Sequence, residues 1–371
     1  MRASPMPTRA LHHGSVKAAS PAAGWCGRHR QPAAATLATR AAAWPPHAAA
    51  PATGCGAGGA DVSGAAAPSA MLWRRGVLSA AAAAAAAPWL GFSRAVAAVG
   101  SVAAGLPAIA PALIRPELAP DQSAYDPTDP ELRAAAALLQ DALAAPGVAL
   151  EEARWGEVIE RYGSLDRNWV PDVVGRAYGN RGNARARQGR LAEALADYGE
   201  AARLCPWSVD PVLNRGVALE AMGRFEDAAA DYRAVLAAAP DDPSAWNNLG
   251  NANAGLGRWG EARECFGRAV ALAPAFSFAA ANEALALWAT GEREPAIRRM
   301  RSLLRRYSDF DDVRAALAAA LWADGREGDA ETMWARVEDS RYRDVVWLKE
   351  RRRWPPGLVE AMTALLELRS V

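Results

Sequence analysis

Residues 244–274 decide the fold, and they read SAWNNLGNANAGLGRWGEARECFGRAVALAP. Apolar residues recur three or four positions apart in two runs, one on either side of Gly257, and this spacing predicts two amphipathic helices. The glycine lies where the chain needs a residue that tolerates positive φ to leave the first helix. The stretch therefore predicts a helix–turn–helix unit that ends at Pro274.

The same unit recurs along the chain at intervals of 34 residues. The turn glycine occurs at Gly189, Gly223, Gly257, Gly291 and Gly325, and a large side chain follows each at Tyr198, Tyr232, Phe266, Met300 and Trp334. The first three units add an earlier glycine (Gly182, Gly216, Gly250) and a closing proline (Pro206, Pro240, Pro274). Because a single helix pair cannot bury its apolar stripe, a fixed period of this length predicts an array of stacked pairs.

The residues that recur at intervals of 34 resemble the pattern of the tetratricopeptide repeat (TPR) superfamily. The unit quoted above matches the family pattern at Trp246, Leu249, Gly250, Ala262, Phe266, Ala269 and Pro274. The resemblance implies an all-α fold, a right-handed TPR solenoid of helix–turn–helix repeats with a C-terminal capping helix. It also implies a binding scaffold without enzymatic activity, and it does not name the ligand.

The prolines and the helical spacing predict the remaining boundaries. They give a proline-rich linker over residues 98–130, a divergent first TPR over 131–174, five TPR units over 175–344 and a C-terminal cap over 345–371. Asp129, Pro130 and Glu131 are typical of a helix start. The proline-rich stretch predicts an extended tether, and residues 166–174 predict a linker before the regular units.

Residues 1–97 differ in composition from the rest, with nine basic residues and one acidic residue. Residues 1–70 are rich in alanine and proline and predict a disordered chloroplast transit peptide, with an alanine-rich low-complexity tail as the alternative. Residues 71–97 combine an arginine pair, a short apolar stretch and an Ala-Val-Ala cleavage motif, which predict a twin-arginine-like thylakoid signal. The two signals together predict the thylakoid lumen, whereas an uncleaved anchor over residues 76–92 would leave a membrane-tethered structural adaptor.

The residue inventory disfavours catalysis and nucleic-acid binding. Residues 98–371 contain 33 basic and 40 acidic residues, a net charge of −7, whereas nucleic-acid modules present a basic face. All four histidines lie in residues 1–97, and no C-x-x-C or phosphate-binding glycine loop follows. We therefore expect no catalytic residue, no metal and no cofactor. Cys205 and Cys265 lie two units apart, too far for a disulfide.

The candidate binding residues follow from the TPR resemblance, in which positions 2, 5, 6, 9, 12 and 13 of each first helix line the inner face. Position 6 holds Asn180, Asn214, Asn248 and Asn282, position 9 adds Asn183 and Asn251, and Arg176 and Arg187 bring positive charge. Amide groups both donate and accept, so this ladder can hold the main chain of an extended peptide. The alternative is that the asparagines bond neighbouring helices. The family's clamp for chaperone carboxylates is disfavoured, because Gly179, Ser244 and Asn248 replace its basic partners.

Two tryptophans one repeat apart, Trp288 and Trp322, fall on inward positions and are either anchors for an apolar partner or core beneath the final helix. Residues 347–356, WLKERRRWPP, predict a solvated turn or a docking point for an acidic partner or lipid headgroups. This segment is similar to one near the end of a group of chloroplast and cyanobacterial TPR proteins. The similarity implies a photosynthetic-membrane setting, with a peptide or protein of a photosynthetic complex as partner, a role in its assembly or maintenance, and peripheral membrane association left open.

Overall fold

The structure, a computed structural model, describes residues 112–367. The transit peptide expected over residues 1–70, the signal over 71–97 and the alternative anchor over 76–92 lie outside the described residues. So do the first part of the predicted linker and the last four residues of the chain.

The described part of the chain is built of α-helices and short 3₁₀ turns, and it contains no strand. The helices are α1 Pro130–Leu143, α2 Val148–Tyr162, α3 Val170–Arg187, α4 Leu191–Leu204, α5 Asp210–Ala221, α6 Phe225–Ala238, α7 Pro243–Gly255, α8 Trp259–Leu272, α9 Ser277–Ala289, α10 Arg293–Arg306, α11 Asp311–Ala323, α12 Glu327–Trp334, α13 Val345–Glu350 and α14 Pro356–Glu367. From α1 to α12 they form six consecutive pairs, each packed on the next. The prediction of an all-α array of helix-pair repeats is confirmed.

The turn glycines have the backbone conformation that the sequence predicts. Their φ angles are 77°, 77°, 75°, 87° and 73° at Gly189, Gly223, Gly257, Gly291 and Gly325. At Gly223 the glycine N–H donates to the Glu220 carbonyl (3.0 Å), and the next N–H, of Arg224, donates to the Leu219 carbonyl (2.9 Å). These bonds satisfy carbonyl groups that the end of a helix leaves open.

The earlier glycine of each regular unit lets the two helices of a pair approach closely. A β-carbon placed at Gly216 would lie 2.6 Å from the ring of Tyr232, which is fully buried. The same relation holds between Gly182 and Tyr198 and between Gly250 and Phe266. The aromatic ring of each second helix therefore occupies the space that the missing side chain of the first helix leaves.

The first helix pair agrees with its prediction at its start and differs at its end. The Asp129 carboxylate accepts from the N–H groups of Glu131 (2.9 Å) and Leu132 (3.4 Å), as an N-cap does. The linker predicted over residues 166–174 is mostly helix, because α3 begins at Val170. Trp169 is 1% exposed and donates its indole N–H to Asp129 (3.0 Å), so burial of this side chain holds α3 against the first pair.

The described part of the predicted linker lies against the repeats, which differs from the extended tether that its prolines favour. The Arg115 N–H donates to the Pro206 carbonyl (2.7 Å), and Gln122 Nε2 donates to Asp172 (3.0 Å). Tyr125 is 8% exposed within the core of the first repeats. Burial of this aromatic ring, together with two hydrogen bonds to the α3–α4 pair, fixes a segment whose composition alone indicates an open chain.

The predicted terminal helix is present as α14, and it packs in an unexpected direction. A further first helix would contact both helices of the last pair, but α14 contacts α11 extensively and α12 hardly at all. Leu358, Met362 and Leu365 are at most 1% exposed and share one core with α11. The chain from residue 345 to 367 is here called the C-terminal segment. It covers one side of α11 and does not cover the end of the stack.

Candidate functional site

The first helices of the units line the inner side of the array. Each of the first helices α3, α5, α7 and α9 also contacts the first helix of the following unit, whereas the second helices make no comparable contact with one another. The first helices are therefore closer together, as they are on the inner side of a curved solenoid. This inner face carries all ten predicted binding residues, and the structure divides them into three groups.

The first group lies on α3 and α5 and is here called the open half: Arg176, Asn180, Asn183, Arg187 and Asn214. Asn180 donates to the Arg176 carbonyl (3.0 Å) and Asn183 accepts from the Tyr198 hydroxyl (2.9 Å), so each amide has only one end engaged. Asn214 is half-buried, and its side-chain amide has no hydrogen bond to any residue between 112 and 367. Asn180 and Asn183 are also half-buried, and Arg187 is exposed.

The two arginines of the open half are held by acids on the array itself. Arg176 donates to Asp172 on the same helix (2.8 Å), and Arg187 pairs with Glu151 of α2. The Arg187 side chain is 51% exposed. Both guanidinium groups keep further N–H donors, so the open half has positive charge at one end and free amide groups along its length.

The second group lies on α7 and α9, where amide side chains bond one another. Asn282, 8% exposed, donates one amide hydrogen to Asn247 and the other to Asn251, both at 3.1 Å. Asn247 in turn donates to Asn248 (3.3 Å). The alternative interpretation of the ladder, bonds between neighbouring helices, therefore describes Asn251 and Asn282, while Asn248 stays half-buried with its amide donors unused.

The C-terminal segment completes this amide network with an arginine. Arg352 donates through Nε and Nη2 to the two oxygens of Asp312 (2.9 and 2.6 Å), and its Nη2 also donates to Asn282 Oδ1 (2.9 Å). Burial lowers the pKa of Arg352, but the adjacent Asp312 raises it by more, so the guanidinium stays charged. The paired fork geometry makes this one of the strong charge-assisted contacts of the fold.

Arg353, the next residue, reaches a different helix. Its Nη2 donates to Glu220 of α5 (2.6 Å), 133 positions away in sequence, and its guanidinium lies 5.1 Å from the centre of the Phe225 ring. Glu220 is 4% exposed and also accepts from the Tyr232 hydroxyl (3.0 Å). Arg353 has a φ of 53°, a left-handed backbone conformation that is uncommon for residues other than glycine. The solvated turn and the acidic docking point expected for this segment therefore do not describe these two arginines.

The third group consists of the two tryptophans, which lie beneath the C-terminal segment. Trp288 is 7% exposed in the core that α14 shares with α11, and Trp322 is partly buried against the same core. Arg293 lies over the Trp288 ring at 5.2 Å. Of the two alternatives for the tryptophans, Trp288 is a core residue beneath the final helix, because no open indole face remains for a partner. Together with Asn282 and Asp312, these side chains form the covered half, the inner positions of α9 and α11.

The described residues do not assemble a metal site. No cluster of three or more histidine, cysteine, aspartate or glutamate side chains occurs between residues 112 and 367. Cys205 and Cys265 are free and buried, and burial raises their pKa values to about 12 and about 11. Neither thiol therefore ionises near neutral pH, when a thiolate would be needed for nucleophilic chemistry.

Among residues 112–367, none of the helices combines the length and the apolar character needed to pass through a bilayer.

Three residues of the inner face, Glu220, Asn247 and Asp312, are not among the binding residues predicted from the sequence, and neither is Arg353 of the C-terminal segment. Asp312 and Glu220 occupy inward positions 2 and 12, and a buried acid there is a signal of an internal cation. The cation itself lies outside the repeats, so the 34-residue period does not predict the pairing.

Comparison with known proteins agrees with the helix-pair architecture. The family model described as a tetratricopeptide repeat matches residues 213–275, and another described as a TPR repeat matches residues 182–223. No curated protein sequence gives a match. Similar solved structures include a tetratricopeptide repeat protein from Parabacteroides merdae, 17% identical with a TM-score of 0.48, with 64% of this chain and 100% of that chain covered.

Two further solved structures are similar at the same level. YrrB, described as a TPR protein with an unusual peptide-binding site, is 14% identical with a TM-score of 0.41, with 58% of this chain and 98% of that chain covered. A chain of the APC/C hetero-tetramer Cut9-Hcn1 is 18% identical with a TM-score of 0.48, with 57% and 42% covered. The two family models together match residues 182–275, and over this range the chain is similar to tetratricopeptide repeat proteins.

Proposed function

We propose that the chain is a non-catalytic scaffold that binds an extended segment of another protein along the open half of its inner face. Asn214 carries the proposal, because its half-buried amide has no hydrogen bond within residues 112–367. A polar group in a groove without a protein partner costs free energy unless water or a ligand satisfies it. Asn180 and Asn183, on the neighbouring first helix, each keep one end of the amide unused, so the main chain of a peptide can bond to several amides in succession.

Arg176 and Arg187 determine which chemical groups of such a ligand lie at the α3 end of the open half. Both keep unused donors at the α3 end of the open half, where a carboxylate or a main-chain carbonyl of the ligand is favoured. The opposite end is bounded by Arg353 and Glu220, which bond each other. The ligand is therefore a short extended segment that spans two or three units.

We further propose that the partner is a protein of a photosynthetic complex, that the chain assists assembly or maintenance of that complex, and that it does so in the thylakoid lumen. The support is the composition of residues 1–97 and the similarity of residues 347–356 to the terminal segment of chloroplast and cyanobacterial TPR proteins. The start of the mature protein, determined by N-terminal sequencing from chloroplasts, tests the location. A start near residue 98 agrees with the lumen, and a start between residues 50 and 70 places the chain in the stroma.

The membrane-tethered adaptor differs from this proposal in one measurable property. An uncleaved anchor over residues 76–92 would keep the chain in the membrane fraction after carbonate extraction, whereas a processed chain would be released.

The binding proposal is tested by capturing partners from solubilised thylakoids on the immobilised full chain and on its Asn214→Ala variant. The matched control is Ser302→Ala, an exposed position on the second helix α10. We expect the wild-type chain and the control to retain the same partner and the Asn214→Ala variant to retain at least about fivefold less, as expected for about 1 kcal/mol lost with one hydrogen bond. Equal retention by all three proteins would remove the open half as the binding site.

A further inference from the structure

The inner face contains a second polar site that the chain fills with its own residues. Glu220, Asn282 and Asp312 come from three different units and are all less than 10% exposed. Every bond they make across the inner face to the C-terminal segment is to a guanidinium group, of Arg352 or of Arg353. The sites lie on α5, α9 and α11, so two adjacent arginines connect helices that are far apart in the array.

The geometry of the site is specific for arginine. Asp312 receives two N–H groups of one guanidinium through its two oxygens, and Asn282 Oδ1 receives a third bond from the same group. The Cζ atom of the second guanidinium, that of Arg353, lies over the Phe225 ring at 5.1 Å from its centre. A lysine ammonium has neither the fork nor the planar face, and it cannot reproduce these contacts.

The two arginines that fill the site lie on a short connection whose backbone is locally strained. Arg353 has a φ of 53°, and the two arginines stand between the short helix α13 and the Pro355–Pro356 pair that starts α14. Trp354, 3% exposed, and Leu358, fully buried, anchor the chain immediately after the arginines. The arginine side chains can therefore leave the site without release of α14, whose apolar face belongs to the core.

We propose that the site formed by Glu220, Asn282 and Asp312 is a receptor for arginine side chains of a basic, aromatic peptide, and that Arg352 and Arg353 occupy it in cis as a competing internal ligand. The partner that fits has two adjacent arginines followed by an aromatic residue, because that is the chemistry of the present occupant. Binding in trans requires displacement of the internal arginines. The site uses residues other than Asn214 and stands independently of the binding proposed for the open half.

The test uses a fluorescent peptide with the sequence of residues 351–356, Arg-Arg-Arg-Trp-Pro-Pro, titrated into the full chain by anisotropy. We expect the variant Arg352→Ala/Arg353→Ala to bind the peptide at least about tenfold more tightly than the wild type, because the competing internal arginines are gone. Adding Glu220→Gln to that variant should weaken binding at least about fivefold. A peptide with lysine in place of each arginine should bind the double variant at least about tenfold more weakly.

Controls separate this site from the open half and from loss of folding. Adding Asn214→Ala to the double variant should leave peptide affinity within about twofold, so failure of the open-half proposal does not imitate failure here. If the double variant lacks a cooperative thermal transition, the single variant Arg353→Ala, which keeps the Arg352–Asp312 pair, is titrated instead, with Glu220→Gln as its partner change. Equal affinity of the wild type and the arginine variant, or equal affinity for the arginine and lysine peptides, would overturn the proposal.

Discussion

The open half and the covered half of the inner face are built from the same repeat and are used differently. In the open half Asn214, at position 6, has no side-chain hydrogen bond among the described residues, and in the covered half Asn282, at the same position, has three. The difference arises outside the repeats, from a C-terminal segment that places Arg352 and α14 against α9 and α11. A repeat position therefore does not define a binding residue until the chain that covers it is known.

The covered half has lost the small-residue packing of the open half. The glycines that face aromatic rings in the regular units, such as Gly216 against Tyr232, are replaced by Ala284 and Ala318 in the last two units. Every residue from Val313 to Leu321 on α11 is buried, because α10, α12 and α14 surround this helix. The last units serve as a core for the C-terminal segment, whereas in the earlier units that segment contacts the inner face at Glu220 through Arg353.

The largest effect is expected at the contact that closes the covered half. Arg352→Ala leaves Asp312 buried without its cation and Asn282 without its donor, which should lower the free energy of unfolding by about 3–5 kcal/mol. The matched change in the open half is Arg187→Ala, because the Arg187 side chain is 51% exposed and its ion pair with Glu151 should contribute less than about 1 kcal/mol. Urea denaturation of both variants measures the difference. Equal losses would mean that the C-terminal segment does not stabilise the covered half.

The next largest effect is a loss of stability at acid pH, and it arises at Glu152, on the side of the array that carries the open half. Burial raises the pKa of Glu152, but hydrogen bonds from Arg190, Gln188 and Arg185 outweigh it and lower the pKa from 4.5 to about 2. Its stabilisation is therefore complete above pH 4.5 and is lost as the pH falls towards 2. Between pH 5 and pH 3 this single group should lower the free energy of unfolding by about 2 kcal/mol.

Glu152→Gln provides the comparison for that pH effect. The variant should be less stable than the wild type at pH 5 and should lose about 2 kcal/mol less between pH 5 and pH 3. Denaturation curves at the two pH values give both quantities. A variant with the same pH dependence as the wild type would contradict the assignment of acid sensitivity to this network.

Asn214 and Asn282, both at position 6, provide a matched test of intermediate size. Asn282→Ala removes the partner of Asn247, Asn251 and Arg352, and it should cost about 1–3 kcal/mol of stability. Asn214→Ala removes no bond within the described residues and should change stability by less than about 0.5 kcal/mol. Thermal melting of the two variants gives the comparison, and a similar loss for both would show that the halves do not differ.

The smallest effect concerns the packing behind the open half. Gly216→Ala places a methyl group 2.6 Å from the Tyr232 ring, and the overpacking should exceed the gain in helix propensity by about 1 kcal/mol. Gly199→Ala is the control, because nothing lies within 4 Å of the new methyl group in the middle of α4. That variant should be more stable than the wild type by about 0.5–1 kcal/mol. Two shifts of the same sign, measured by urea denaturation, would contradict the close helix approach.

Local signals predict most of the fold and much less of the site. The turn glycines, the Gly216–Tyr232 pair and the Asp129 cap are determined by residues near in sequence or one period apart, and the structure agrees with each. The contact between Arg353 and Glu220 joins residues 133 positions apart, and no periodic pattern connects them. Long-range burial also explains why the chain before α1 is held on the repeats, since Tyr125 finds its place only in the folded core.

The inner face is accessible at Asn214 on α5 and closed at Asn282 on α9 by the chain's own C-terminal segment. Thiol labelling tests it directly, in a full chain whose four cysteines are replaced by alanine and which carries either Asn214→Cys or Asn282→Cys. Both new cysteines occupy position 6, so their local backbone is matched. We expect the thiol at 214 to react at least about tenfold faster than the thiol at 282, because only the latter lies beneath a buried contact that must open first. Equally fast labelling at both positions would contradict the account.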